Sequence, residues 1–88
     1  MGSKMFAGVK SLIRNEGKIL TVKIEHEGRL LHALPGGRIE YGENPVEALI
    51  RETEEETSLE VEPVEPIGMY HFFIGKDNDG EQVVLTVW

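Results

Sequence analysis

From Phe6 to Leu34 the chain alternates apolar and polar positions, interrupted by short turn-forming clusters. Phe6–Arg14 (FAGVKSLIR) runs into Asn15-Glu16-Gly17, and Lys18–Ile24 (KILTVKI) resumes the alternation, which predicts an antiparallel hairpin. A second turn at Glu25–Gly28 leads into a strand over Arg29–Leu34. Pro35-Gly36-Gly37 then breaks that strand and lets the backbone approach a ligand closely. Beyond it the period changes. Asn44-Pro45 reads as an N-cap and first helical residue, Glu47 sits where a capping-box carboxylate belongs, and the helix is expected to run to about Thr57. Val46, Leu49, Ile50 and Thr53 form its apolar stripe, and Glu52, Glu55 and Glu56 share an adjacent face. Glu47, Arg51 and Glu54 are left for the outer side, with Arg51 able to reach across to a carboxylate. After Pro63 and Pro66, Ile67–Ile74 (IGMYHFFI) and Glu81–Trp88 read as two strands joined by a turn at Lys76–Gly80. The sum is an α/β (α+β) chain with one helix packed on a sheet.

The length of 88 residues makes a single domain, residues 1–88, with a modest core. Met1-Gly-Ser-Lys4 ahead of Met5 reads as an expression scar. A net charge of −7 argues against any nucleic acid polymer as partner, since a phosphate backbone needs a basic surface. A small phosphorylated ligand is different, because bound metal ions and a few local cations can meet its charge. The absence of cysteine removes disulfides and thiolate metal sites. No apolar run is long enough for a bilayer and no signal-peptide core is visible, so no membrane partner is expected and the cytoplasm is the expected compartment.

Three carboxylates on one helix face repel one another, each like-charge pair costing roughly 0.2–0.5 kcal/mol. A hard divalent cation such as Mg²⁺ or Mn²⁺, which prefers oxygen ligands, is the obvious compensation for Glu52, Glu55 and Glu56.

The segment Gly37–Leu59 (GRIEYGENPVEALIRETEEETSL) carries Gly37, Glu43, Arg51, Glu52, Glu55, Glu56 and Leu59 at the spacing of a known signature. In this it resembles the Nudix (MutT-like) hydrolase family, whose box requires those residues at those positions. Thr53 stands where the family has an aliphatic residue, and Ser58 replaces the second glycine, a helix-ending site where glycine takes a left-handed conformation cheaply. The resemblance implies a Nudix-type mixed sheet with the box helix packed on it, part of an α/β/α sandwich. Val83–Trp88 stops in strand-like sequence, so about two-thirds of such a domain is expected, without its C-terminal elements. A fragment, a natural truncation and completion by a second copy through strand exchange, hence a homodimer, all remain open.

The resemblance also implies a divalent-metal-dependent hydrolase that cleaves the pyrophosphate bond of a nucleoside diphosphate linked to another group, NDP-X. It assigns the catalytic set to Glu52, Glu55, Glu56 and Arg51, with Glu52, Glu55, Glu56 and the Gly36 carbonyl as ligands of Mg²⁺ (or Mn²⁺); the base is open between these glutamates, Glu52 first among them, and a loop beyond the box. Gly37 and Glu43 support the site, Glu43 by pairing with Arg51. His32 and Arg38 flank the glycine turn and are candidates for the substrate, although each also suits an ordinary surface position. Tyr70, His71, Phe72 and Phe73 are read as packing residues, and Asp77-Asn78-Asp79-Gly80 as a hairpin turn that lacks the downstream ligands of a calcium loop. A Nudix-like module that binds nucleotide or metal without turnover is the alternative from another class.

Overall fold

A computed structural model of the chain describes residues 5–74 and 81–88. Its elements in order are β1 (Met5–Lys10), β2 (Arg14–Asn15), β3 (Lys18–Ile19), β4 (Val22–His26), β5 (Arg29–Ala33), β6 (Gly36–Arg38), α1 (Pro45–Thr57), β7 (Gly68–Ile74) and β8 (Glu81–Val87). Four of the strands make a mixed sheet in the order β6-β1-β8-β7. β1 is antiparallel to β6 and parallel to β8, and β8 is antiparallel to β7. A single helix packed on a sheet is the architecture expected from the pattern, and the mixed strand order is that implied by the Nudix resemblance.

The hairpins are distributed differently from the expectation. The stretch 6–14 does not stay extended: β1 ends at Lys10, the backbone of Ser11 and Leu12 is held by Pro35 and Trp88, and pairing resumes only as the short ladder Arg14↔Ile19, Asn15↔Lys18. Glu16 and Gly17 both take positive φ, as do Glu27 and Gly28 between β4 and β5, which matches the two-residue turns that fit strand twist. The glycine turn is the larger correction. Gly36-Gly37 does not merely break a strand but forms β6, the edge strand beside β1. Its closeness explains the glycine at 36, where a side-chain Cβ would collide with the Val9 carbonyl oxygen and the Lys10 Cα. The expected turn at 76–80 lies outside the described residues.

Helix α1 starts as predicted. Asn44 Oδ1 accepts from the Glu47 N–H while the Glu47 carboxylate accepts from the Asn44 N–H, a complete capping box with Pro45 in the first turn. It ends on Ser58, which adopts the left-handed conformation (φ 64°) and donates its N–H to the Glu54 carbonyl. The buried residues of α1 are Ala48, Leu49 and Thr53, whereas Val46 and Ile50, expected in the stripe, are exposed. Ala48 takes their place because a small side chain lets the helix settle on Val9, with Ile39 and Trp88 packed at the margin.

In the ladder Val9 stands opposite Gly37, and both point to the helix side of the sheet, since side chains on opposed residues share a face. The other face carries Phe6, Lys10 and Arg38, with Val83 and Leu85 of β8 and Tyr70 and Phe72 of β7. Tyr70, His71, Phe72 and Phe73 are all exposed, so the core packing expected of them is not found; the core lies instead between β1 and α1. Among the described residues no helix is long and apolar enough to cross a membrane.

Candidate functional site

The site forms where α1 crosses β6. The Glu56 carboxylate accepts a hydrogen bond of 2.7 Å from the Gly36 N–H. The Glu52 carboxylate lies against Gly37, in space that the Cβ of any larger residue would fill. Two of the three glutamates singled out in the sequence are therefore set on the glycine pair directly, one by a backbone donor and one by a missing side chain.

Arg51 organises the rest, reaching across from the outer side of the helix to the carboxylates as expected. Its Nε donates to Glu43 Oε2 at 2.7 Å and its Nη2 to Glu43 Oε1 at 3.0 Å, a bidentate fork. Nη2 also donates to the Arg38 carbonyl at 3.1 Å, which ties the helix to β6. Nη1 points to the carboxylates of the helix, donating to Glu52 Oε1 at 2.9 Å and to the two Glu55 oxygens at 3.3 and 3.4 Å, with Glu40 at 3.8 Å. Glu43 accepts in addition from the Glu40 N–H, closing the loop before the helix. This network holds the Glu43 carboxyl at about 2, chiefly through the Arg51 hydrogen bond and next through the Glu40 N–H. Arg51 in turn is raised above its ordinary value, first by Glu43 and then by Glu52.

No group of three histidine, aspartate or glutamate side chains among the described residues is gathered in an arrangement that could hold a metal ion. The reason is visible in the contacts: Glu52 and Glu55 are drawn to Arg51 Nη1 while Glu56 is drawn to Gly36. The Gly36 carbonyl belongs to the edge strand β6, and Gly36 acts in these contacts through its N–H.

The two substrate candidates part company. Arg38 is close to the site, with its guanidinium 3.8 Å from the centre of the Phe6 ring on the far face of the sheet. His32 belongs to the separate β4–β5 ladder, opposite Lys23, and shares a hydrogen bond of 3.2 Å with Thr21 Oγ1. Sequence reading missed Lys10, whose Nζ donates to the Leu34 carbonyl at 3.2 Å and whose stem lies along Gly36. The available signal was a charged residue at a sheet position shared with Phe6 and Gly8. Lys10, Arg38, Phe6, Gly37 and Phe72 are among the residues lining an open groove of about 200 Å³ on that face. A second groove, of about 230 Å³ between Ser11–Arg14 and residues 61–67, includes none of the glutamates of the site.

The NUDIX domain family model matches residues 5–88 of the chain. Among solved structures, the solution structure of the E. coli ORF135 protein superposes with a TM-score of 0.81 at 27% identity, covering 98% of this chain and 60% of that one. A NUDIX hydrolase from Nitrosomonas europaea gives a TM-score of 0.78 at 26% identity over 96% of this chain and 57% of its own. The MutT protein from Methanosarcina mazei Go1, at 24% identity and a TM-score of 0.77, supports the fold, with 99% and 64% covered. The chain thus spans about three-fifths of the length of these proteins. With its fold, its Gly37–Leu59 signature and the family model in agreement, this chain belongs to the Nudix family.

Proposed function

We propose that this chain carries the site of a divalent-metal-dependent hydrolase that cleaves the pyrophosphate bond of an NDP-X substrate. The observation that carries the proposal is the placing of Glu52 and Glu56 on the Gly37-Gly36 backbone with Glu55 one turn from Arg51. The donor set fits Mg²⁺ or Mn²⁺: it is made of oxygen atoms, and Gly37 leaves open the space beside Glu52 that a side chain would close. Glu52, Glu55, Glu56 and the Gly36 carbonyl would hold the ion. When bound, such an ion neutralises phosphate charge and lowers the pKa of a coordinated water.

The chain's own residues do the rest. Before an ion arrives Arg51 holds Glu52 through Nη1, and Glu43 fixes Arg51 through the fork, so the carboxylate is kept at the site. Glu52 accepts the proton of the attacking water. The water oxygen bonds to one phosphorus and the bond from the bridging oxygen to that phosphorus breaks, leaving a nucleoside monophosphate and a phosphorylated X. Lys10 and Arg38 supply cations on the far side of Gly36 and Gly37, where the substrate's remaining phosphate charge can be met without a basic surface elsewhere.

Hydrolysis of a panel of nucleoside diphosphate derivatives in ¹⁸O-water with Mg²⁺, followed by ³¹P NMR, tests this. The expected result is one ¹⁸O in one phosphate product, with turnover lost in Glu52→Gln. A second reading, a module that binds nucleotide without turnover, is favoured by the glutamates' contacts, in which Glu52 and Glu55 turn to Arg51 while Glu56 turns to Gly36. Metal and nucleotide binding with no product from any derivative would replace the first reading by the second.

A further inference from the structure

We propose that Arg51 is the resident counter-cation of this site: Nη1 holds Glu52 and Glu55 until a divalent ion replaces it, while Nε and Nη2 stay anchored on Glu43. The inference rests on the metal reading above and adds to it the state of the site before metal arrives. Its starting point is charge. Helix α1 has no basic residue in its last turn, although Glu52, Glu54, Glu55 and Glu56 follow one another there. The ion pairs described for Glu40, Glu43, Glu52 and Glu55 all have Arg51 as their cation.

The guanidinium has two unlike sides. Toward Glu43 and the Arg38 carbonyl its bonds are 2.7, 3.0 and 3.1 Å, and the Glu43 side chain is 15% exposed. Toward the helix, Nη1 alone is divided between Glu52 at 2.9 Å, whose side chain is 18% exposed, and Glu55 at 3.3 Å, whose side chain is 58% exposed. A single nitrogen divided between two carboxylates, one of them in solvent, is the side that can be surrendered, whereas two nitrogens grip Glu43. A divalent ion on Glu52 and Glu55 brings twice the charge of Nη1's guanidinium to the same oxygens, and like charges do not crowd there together. The anchored side has no such competitor, so Arg51 turns about its Glu43 fork rather than leaving the site.

The consequence separates this role from simple orientation of the ligands. If Arg51 served only to aim Glu52, its removal would weaken metal binding. As a competing cation, its removal strengthens metal binding and destabilises the metal-free chain. The loss of one exposed and one part-buried pair, valued as surface pairs, corresponds to an affinity gain of about 2- to 30-fold.

Calorimetric titration of the chain, Arg51→Gln and Arg51→Lys with Mn²⁺ reads this directly, with metal-free thermal unfolding of each beside it. Arg51→Gln is expected to bind Mn²⁺ more tightly and Arg51→Lys, which keeps the charge, to stay between it and the parent, while both melt earlier without the ion because the fork to Glu43 is lost. In the unaltered chain, where folding is not at stake, ¹⁵N NMR of Arg51 during Mg²⁺ titration should show Nη1 shifting and Nε unmoved. Mn²⁺ binding by the unaltered chain together with weaker binding by the variants, or with a stationary Nη1, overturns this inference and leaves the metal reading intact. An unaltered, folded chain that binds no Mn²⁺ overturns both.

Discussion

Gly36 and Gly37 are neighbours in one short strand, yet alanine at each should fail in a different way. At Gly36 the added Cβ meets backbone, the Val9 carbonyl oxygen and the Lys10 Cα, and the residue has φ 155°. Neither β1 nor β6 can give without breaking the ladder Lys10↔Gly36. Overpacking costs about 1–3 kcal/mol and the disfavoured backbone a further ~1–2 kcal/mol, so Gly36→Ala should lose about 3 kcal/mol. At roughly 4–8 °C per kcal/mol for a domain of this size, that is a fall of about 12–24 °C in Tm. At Gly37 the added Cβ meets the Glu52 carboxylate, the far end of a flexible side chain. The carboxylate swings away at the expense of its bond to Arg51, about 0.2–1 kcal/mol for a pair of this exposure. A gain of ~0.4–1 kcal/mol from the stiffer unfolded chain offsets that loss. Gly37→Ala should therefore melt within a few degrees of the parent while losing Mn²⁺ affinity and, because a misplacement of about 1 Å can cost ~100-fold, most turnover. Thermal unfolding and Mn²⁺ titration of both variants decide the matter. Equal destabilisation by the two, or parental Mn²⁺ affinity in Gly37→Ala, would refute the claim that Gly37 exists to seat Glu52.

Three other outcomes are expected. Ser11 Oγ and Thr53 Oγ1 share a buried hydrogen bond of 2.6 Å, so Ser11→Ala or Thr53→Val alone should cost about 1–3 kcal/mol by orphaning the partner, and the double variant less than their sum; additive urea midpoints would show no coupling. Ser58→Gly should raise stability by up to about 1 kcal/mol, because Ser58 holds a left-handed conformation that glycine adopts without strain; an unchanged or lower Tm would contradict this. Glu43, held at about 2 against an ordinary 4.5, is charged in the folded chain where the unfolded chain already binds a proton. Its contribution is complete above pH 4.5 and disappears as pH falls toward 2, so the stability of Glu43→Gln should fall less steeply than the parent's across that window. Parallel curves for the two in urea titrations would remove the pairing from the account.

The parts of this molecule that local chemistry dictates were legible from the residues. Asn44, Pro45 and Glu47 announce a helix start through donors that need acceptors, and the structure contains that capping box. The spacing of Glu43, Arg51, Glu52 and Glu55 anticipated a cluster, and the ion pairs are there. What escaped was tertiary. Nothing local to Gly36-Gly37 says that β1 lies close enough to pair with it, and nothing in Val46 or Ile50 says that Ala48 faces Val9 instead. The helical period gives a face but not its angle to the sheet, and here that angle favours the small residue. Arg51 was legible because a long side chain on the outer side can still carry its guanidinium to the carboxylates, and it does. Thr53 departs from the family's aliphatic residue without harm because Ser11, on the chain just past β1, supplies its hydroxyl with a partner.

The central claim is that the glutamates on α1, seated on Gly36 and Gly37, form a divalent cation site. Thermal unfolding with and without millimolar Mg²⁺, of the chain and of Glu56→Gln, tests it most directly, because Glu56 is the carboxylate held by the Gly36 N–H. A ligand at about 100 times its dissociation constant adds roughly 2.7 kcal/mol. The account predicts a cooperative melt that rises by roughly 10–20 °C with Mg²⁺ in the unaltered chain and far less in the variant. A cooperative melt that Mg²⁺ leaves unmoved, or moves equally in both, would contradict it.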